Sequence, residues 1–135
     1  MKQPPAVVIH GLPHLRLAMA PGLPVTLLSG ADAAIYAGCG WWRALVALAG
    51  CDVADILDCG DAAGRAMEAL RAGCGVLVLD PALPSWTLVA ARAASVGATV
   101  LTARPPALDL ARRGAERRLL AWLQAPEGDS AALLR

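Results

Sequence analysis

The sequence lacks a clear excess of charge of either sign. Its 135 residues include 12 basic and 11 acidic side chains, and Lys2 is the only lysine. Proteins that bind a nucleic-acid backbone need a clustered excess of lysine and arginine. The composition therefore predicts that nucleic acid is not a partner of this chain.

The sequence also lacks any long apolar run of the kind that spans a membrane. Its N-terminal apolar stretch is broken by His10, His14 and Arg16, which makes it a poor signal peptide. The most membrane-like window, residues 33–51, carries Arg43 near its middle. A central arginine costs about 2.5–3.5 kcal/mol on insertion. We predict a buried helix there and no membrane partner.

Paired cysteines are absent as well. Cys39, Cys51, Cys59 and Cys74 form no C-x-x-C pair, and no histidine follows at zinc-finger spacing. A chain of this length can bury a core without cross-links. We therefore expect reduced thiols, a cytoplasmic location and no cysteine-based metal site.

Apolar residues are abundant, at 57% of the chain, whereas charged residues make up 17%. So few charges leave part of a small protein's surface apolar. An apolar patch of this kind is often covered by a second subunit. The composition predicts a homo-oligomer, most simply a dimer.

The pattern is clearest in residues 55–81, which read as a strand, a turn, an amphipathic helix and a second strand. Both strands are apolar runs without polar alternation, as in parallel sheets covered by helices. Gly60 permits a sharp turn, Asp61 can cap the helix, and Gly73 ends it as a left-handed cap.

The same unit recurs along the chain. Strands are predicted at residues 6–10, 25–29 and 99–102, and a last helix is predicted over residues 107–123. The fold class is therefore α/β: a single-domain three-layer sandwich with a five-stranded, mostly parallel, doubly wound sheet. We place the domain at residues 1–125 and a C-terminal tail at residues 126–135.

The five alternations of strand and helix resemble the flavodoxin and response-regulator arrangement. The first strand, however, ends in Ile9-His10 without the acidic pair of the regulators, and no lysine ends the fifth. Residues 69–81 are similar to one unit of phosphate-binding barrel aldolases. Two strand orders are open for such a sheet, the flavodoxin-like order, 2-1-3-4-5, and the half-Rossmann order, 3-2-1-4-5.

Open parallel sheets bind ligands at the carboxyl ends of their strands, beside the point where the strand order reverses. His10 borders that point in either order. The candidate catalytic residues are Asp58, Asp80, His10 and Cys59. The residues predicted to contact a ligand are Gly11, Ser29, Gly30, Gly60, Asp61 and Arg104.

Each candidate also has a structural explanation. Asp58 and Asp80 could share a proton or hold Mg²⁺, or each could cap the turn after its own strand. Cys59 could be a thiolate activated by a helix N-terminus or a packing thiol. His10 could be a general base or make a structural hydrogen bond. The arginines of residues 112–118 are expected to form a solvated face.

Three functions follow from these features. The first is a cytoplasmic domain that binds a small anionic metabolite near His10, Ser29 and Asp58. The second is a lyase, isomerase or hydrolase that uses Asp58 or Asp80 with His10. The third is a non-catalytic oligomeric interaction module. The sequence identifies no cofactor.

Overall fold

Six parallel strands form one sheet, flanked by helices, in the computed structural model, which describes residues 3–125. This architecture confirms the α/β class predicted from the apolar runs. The predicted tail, residues 126–135, lies outside the described residues.

The elements are short, and strands and helices alternate along most of the chain. The strands are β1 (Ala6–Ile9), β2 (Thr26–Ser29), β3 (Ala54–Asp58), β4 (Val76–Val78), β5 (Thr99–Leu101) and β6 (Ala107–Asp109). The helices are α1 (Leu12–Met19), α2 (Ala33–Tyr36), α3 (Cys39–Ala47), α4 (Ala63–Arg71), α5 (Trp86–Ser95) and α6 (Ala115–Gln124). Among the helices of residues 3–125, none has the length and apolar character needed to cross a membrane.

The strand order is β5-β4-β3-β2-β1-β6, so neither of the two orders considered from the sequence occurs. The first five strands are added successively in one direction, and the chain then returns to pair β6 with the free side of β1. Each local unit is compatible with all of these orders. Only the packing of the whole chain selects among them.

The two faces of the sheet are covered differently. Successive strand residues point to opposite faces, and the larger core cluster joins one face to the buried residues of all six helices. The buried residues of the second cluster are Val8, Leu28, Ile56 and Val78, all from strands. The connection 102–106 passes over this second face, since Arg104 reaches Asp58 and also lines a cavity with Val8.

The prediction of five strands and of a last helix from residue 107 was wrong. Residues Ala107, Leu108 and Asp109 pair with β1 as a sixth strand. Asp109 Oδ1 then accepts the N–H of Ala111 at 2.9 Å, and Gly114, at φ +80°, precedes α6. The helical spacing of Leu108 from the apolar residues of α6 was coincidental.

The start of α4 also differs from the expectation. The residue before the helix is Ala62, which has no side-chain cap, and Asp61 is exposed. The N–H of Gly60 is instead bound by Asp58 Oδ1 at 2.7 Å. The turn after β3 is therefore closed by Asp58, and the predicted Asp61 cap is not formed. The glycine that ends α4 behaves as predicted, with Gly73 at φ +93°.

Candidate functional site

The carboxyl ends of the parallel strands meet at one edge of the sheet. His10 follows β1, Ser29 ends β2 and Asp58 ends β3, while Asp80 lies just beyond β4 and Asp109 ends β6. This edge is the usual ligand-binding edge of open parallel sheets. The structure therefore gathers most of the candidate residues, although it assigns them different partners.

Ser29 is buried at this edge and links two strand ends through hydrogen bonds. Its Oγ accepts the N–H of Asp58 at 2.9 Å and donates to the carbonyl of Gly30 at 3.0 Å. The hydroxyl hydrogen is thus used within the protein, and the residue is fully buried. Ser29 joins the ends of β2 and β3 and has no face toward solvent.

Asp58 has a protein partner for each carboxylate oxygen. Oδ1 accepts the N–H of Gly60, and Oδ2 accepts Nη1 of Arg104 at 2.8 Å. The Asp58 side chain is 6% exposed, whereas that of Arg104 is 30% exposed. A buried carboxylate is stable only with such partners. Asp58 therefore closes the turn after β3 and forms an ion pair with Arg104.

Asp80 makes the corresponding turn after β4. Its Oδ1 accepts the N–H of Ala82 at 2.9 Å, and its own N–H donates to the carbonyl of Gly60 at 2.8 Å. Both aspartates therefore cap the turn after their own strand, which is the structural alternative left open by the sequence.

A depression at the ends of β3, β4 and β5 has a volume of about 430 Å³. We call it the acidic crevice. Four carboxylates face a single guanidinium there, so the local charge disfavours an anion. Within residues 3–125, no group of three or more histidine, cysteine, aspartate or glutamate side chains has a geometry that could hold a metal ion. The polar lining comprises Asp32, Asp58, Asp61, Asp80, Thr102 and Arg104, and Gly60 completes the turn.

His10 and Asp109 meet where the strand order reverses, at the ends of β1 and β6. His10 Nε2 lies 2.8 Å from Asp109 Oδ1. An ionised carboxylate can only accept, so Nε2 carries the proton. Burial raises the pKa of Asp109, but the N–H of Ala111, then His10 and Arg112, outweigh it and lower the pKa overall.

His14 supports this pair from α1. Its Nδ1 accepts the backbone N–H of His10 at 3.1 Å, and the two rings meet edge to face, with centroids 5.5 Å apart. Burial, and then the proximity of His10, lowers the pKa of His14, while Asp109 opposes the shift. His14 therefore helps to fix the backbone at the end of β1.

Gly30 provides the space that His10 and Tyr36 occupy. A Cβ on Gly30 would lie 2.6 Å from Tyr36 Oη and 3.0 Å from His10 Nδ1. Both polar atoms therefore lie over the backbone of Gly30. A residue with a side chain at this position would displace one of them.

Gly11 and Cys59 do not join these polar groups. Gly11 precedes α1 in extended backbone, and its carbonyl accepts the N–H of Leu15 at 3.1 Å. Cys59 is fully buried in the core that the helices cover. Burial, and then Asp58, raises the pKa of the Cys59 thiol to about 12. This environment disfavours the thiolate that nucleophilic chemistry requires.

A second cavity, of about 750 Å³, lies at the β6 edge of the sheet and is lined by Val8 and Ala107 of the second face. We call it the arginine pocket. Its charged lining consists of Asp109 and four arginines, one from the connection 102–106 and three from the region of α6. These arginines are Arg104, Arg112, Arg113 and Arg118.

The charges of the arginine pocket are incompletely neutralised. Arg104 pairs with Asp58, and Asp109 is hydrogen-bonded to His10. Among residues 3–125, no carboxylate forms an ion pair with Arg112, Arg113 or Arg118. Within residues 3–125, three arginines that line a cavity of ligand size therefore have no carboxylate partner.

Five residues of these sites were not predicted from the sequence, whereas Arg104 was: Asp109, Tyr36, Arg112, Arg113 and Arg118. Asp109 was assigned to a helix, which hid its position at a strand end. Arg112, Arg113 and Arg118 were predicted to form a solvated face, and they are exposed, but the cavity beside them was not predicted. A sign was available in Arg112-Arg113 next to Gly114, a glycine that interrupts the predicted helix.

Comparison with protein-family models finds no match for this chain. Comparison with curated proteins likewise finds none. The functional interpretation therefore depends on the geometry of the residues themselves.

Proposed function

We propose that this chain is a cytoplasmic α/β domain that binds a small anionic ligand in the arginine pocket. The observation that carries the proposal is a cavity of about 750 Å³ lined by four arginines and one carboxylate. Guanidinium groups bind phosphate and carboxylate through paired hydrogen bonds. The cavity volume lies within the usual range for ligand sites, about 300–1,000 Å³.

The position of the pocket supports the same function. The strand order reverses between β1 and β6, and ligands of open parallel sheets bind beside such a reversal. The acidic crevice is the less suitable place for an anion because four carboxylates surround it. The proposal thus keeps the anionic ligand predicted from the sequence and moves it from Ser29 and Asp58 toward Asp109.

A cytoplasmic location is supported by the free thiols. All four cysteines are free in the structure, and two of them, Cys59 and Cys74, are buried. Unpaired cysteines are typical of reducing compartments. Cell fractionation of the tagged chain tests this part of the proposal.

Calorimetry with inorganic phosphate and with citrate as probes tests the binding site. Replacing Arg113 or Arg118 by glutamine should weaken binding of the better probe about 5- to 10-fold, since one charge-assisted contact in a partly exposed site contributes roughly 1–1.4 kcal/mol. Arg117→Gln is the matched control, because Arg117 lies on the same helix and does not line the pocket.

Equal affinities for wild type and both pocket variants would contradict the proposal. So would an equal loss in Arg117→Gln, because that result indicates a general charge effect. A thermal-shift measurement gives an independent check, since a ligand at a hundred times its Kd adds about 2.7 kcal/mol of stability.

The other two functions stay predictions from the sequence. An enzyme that uses Asp58 gains no support from the geometry, because both of its carboxylate oxygens already have partners. A dimer would have to cover exposed apolar residues that are spread over separate helices. The most exposed of these are Tyr36, Leu48, Leu88 and Leu120.

A further inference from the structure

We infer that the ligand of the arginine pocket is an amphiphilic anion: a phosphate or carboxylate head joined to an apolar body of several carbon atoms. This inference rests on the proposed function of the pocket and adds the class of ligand. It follows from the floor of the cavity, its size and the placement of its charges.

The floor of the arginine pocket is apolar. Val8 of β1, Ala107 of β6 and Pro105 of the connection 102–106 line the same cavity as the arginines, whereas Leu108, which also borders it, packs in the core cluster of the opposite face. Val8 is 3% exposed, so the accessible apolar surface comes mainly from Pro105 and Ala107, which are partly exposed. An inorganic anion would leave the surface of Pro105 and Ala107 in contact with water, whereas an apolar group would cover it.

The fold explains why this floor is open. The buried residues of all six helices belong to the cluster on the opposite face. On the second face, strand residues Val8, Leu28, Ile56 and Val78 form a small cluster, packed against Val76, Leu101 and Ala107. No helix of residues 3–125 contributes to this cluster, and the cavity lies beside its β1–β6 end.

The cavity is much larger than the head group alone requires. Its volume is about 750 Å³, and one water molecule occupies about 30 Å³ in the liquid. A phosphate or carboxylate would therefore displace only a small part of the water in the cavity. The remaining space matches the volume of a ligand with a body of several carbons.

Three of the four arginines lie on one side of the pocket. Arg112 and Arg113 precede α6, and Arg118 lies within it, whereas Val8, Pro105 and Ala107 come from strands and from the connection, together with Arg104 and Asp109. Arginine stems can pack along apolar surface while the guanidinium stays at the rim. A bound anion can therefore direct its head toward α6 and its body toward β1 and β6.

The inference predicts a dependence of affinity on chain length. Burial of one methylene contributes about 0.8 kcal/mol, which corresponds to a factor of about four in affinity. On a partly open floor we expect a factor of about two to four for each added methylene.

The experiment compares two series on the wild-type chain by calorimetry at constant pH and salt. One series is inorganic, methyl, butyl and hexyl phosphate, and the other is acetate, butyrate and hexanoate. From methyl to butyl phosphate, affinity should rise at least about eightfold at the lower factor of two per methylene. The series with the higher affinity at equal chain length identifies the head group.

A substitution in the floor of the arginine pocket tests whether the rise of affinity with chain length arises there. Ala107→Gln adds a polar side chain to the floor, and Ala103→Gln is its matched control because Ala103 is exposed and does not line the cavity. Ala107→Gln should remove most of the gain with chain length and leave the affinity for inorganic phosphate within about twofold of wild type. Ala103→Gln should retain the gain.

The failures of the inference and of the proposed function can be told apart. Equal affinities along each series, with weaker binding by Arg113→Gln and Arg118→Gln, would overturn the amphiphilic ligand and leave anion binding intact. A gain with chain length that is unchanged by the arginine variants and by Ala107→Gln would also overturn it. Absence of binding by every probe would overturn the proposed function and this inference together.

Discussion

Arg104 Nη1 lies 2.8 Å from Asp58 Oδ2, which ties the connection between β5 and β6 to the end of β3. Arg104 lines both the acidic crevice at the carboxyl edge and the arginine pocket beside β6. The carboxylate of Asp58 partly neutralises the positive charge of Arg104. An anion in the arginine pocket therefore competes with Asp58 for the Arg104 guanidinium.

The first prediction concerns the stability that this pair provides. Arg104→Gln leaves the nearly buried Asp58 without its cationic partner, and removing one member of a buried pair is strongly destabilising. Because Arg104 is partly exposed, we expect a smaller loss, about 2 kcal/mol in the free energy of unfolding. Urea denaturation measures it.

The control for this prediction is a double-mutant cycle. Asp58→Asn combined with Arg104→Gln should cost at least about 1 kcal/mol less than the sum of the single changes, as for contacting residues in general. Additive losses would show that the two side chains do not interact in solution.

The second prediction concerns Gly60, which has φ +56° and lies against Asp32. A Cβ on Gly60 would overlap Asp32 Oδ1, whereas a Cβ on Gly97, at φ +77°, would meet nothing within 4 Å. Both Gly→Ala changes force an L-residue into the left-handed region, at about 1 kcal/mol. Gly60→Ala should cost about 1 kcal/mol more, because the carboxylate of Asp32 has to move.

Thermal or urea unfolding of both variants measures this difference. In the background of Asp32→Ala, the additional loss caused by Gly60→Ala should disappear. A loss that persists there would mean that another contact of the turn, and not Asp32, excludes the side chain.

The third prediction concerns thiol reactivity. Burial raises the pKa of Cys59 to about 12 and that of Cys74 to about 11, whereas Cys51 is exposed. In the folded protein, iodoacetamide at pH 8 should alkylate Cys51 first and leave Cys59 and Cys74 unmodified until the chain is unfolded. Peptide mass spectrometry identifies the sites. Rapid alkylation of Cys59 would restore it as a candidate nucleophile.

The fourth prediction is a pH dependence from Asp109. Its pKa in the folded protein is below the ordinary value of 3.8, so the unfolded state binds the proton more readily. The stability that Asp109 provides is therefore fully present above about pH 3.8 and is lost as the pH falls through the lower, folded value. Asp109→Asn should flatten this part of the stability curve.

Urea midpoints between pH 2.5 and pH 6 measure the effect, and Asp52→Asn, at an exposed position, is the control. An unchanged acid slope in Asp109→Asn would show that the contacts of Asp109 with Ala111 and His10 do not hold its charged form in solution.

Local features of the chain were readable from the sequence. The apolar runs around Ile56 and Leu77 lie in strands, and Gly73 ends α4 with a positive φ as expected. Such features depend on neighbouring residues, through backbone sterics and the two-sided burial of parallel strands. The strand Ala107–Asp109 could not be found in this way, because three residues carry no period and their partner strand lies about a hundred residues away.

The sequence by itself determined the class of fold and the edge at which polar residues collect, because a polar residue follows each apolar run and marks the end of that strand. Only the tertiary structure decided which of those ends meet. His10 joins Asp109 across 99 residues, and Arg104 joins Asp58 across 46. These partners follow from the strand order β5-β4-β3-β2-β1-β6, which the packing of the entire chain selects from several orders that share the same local units.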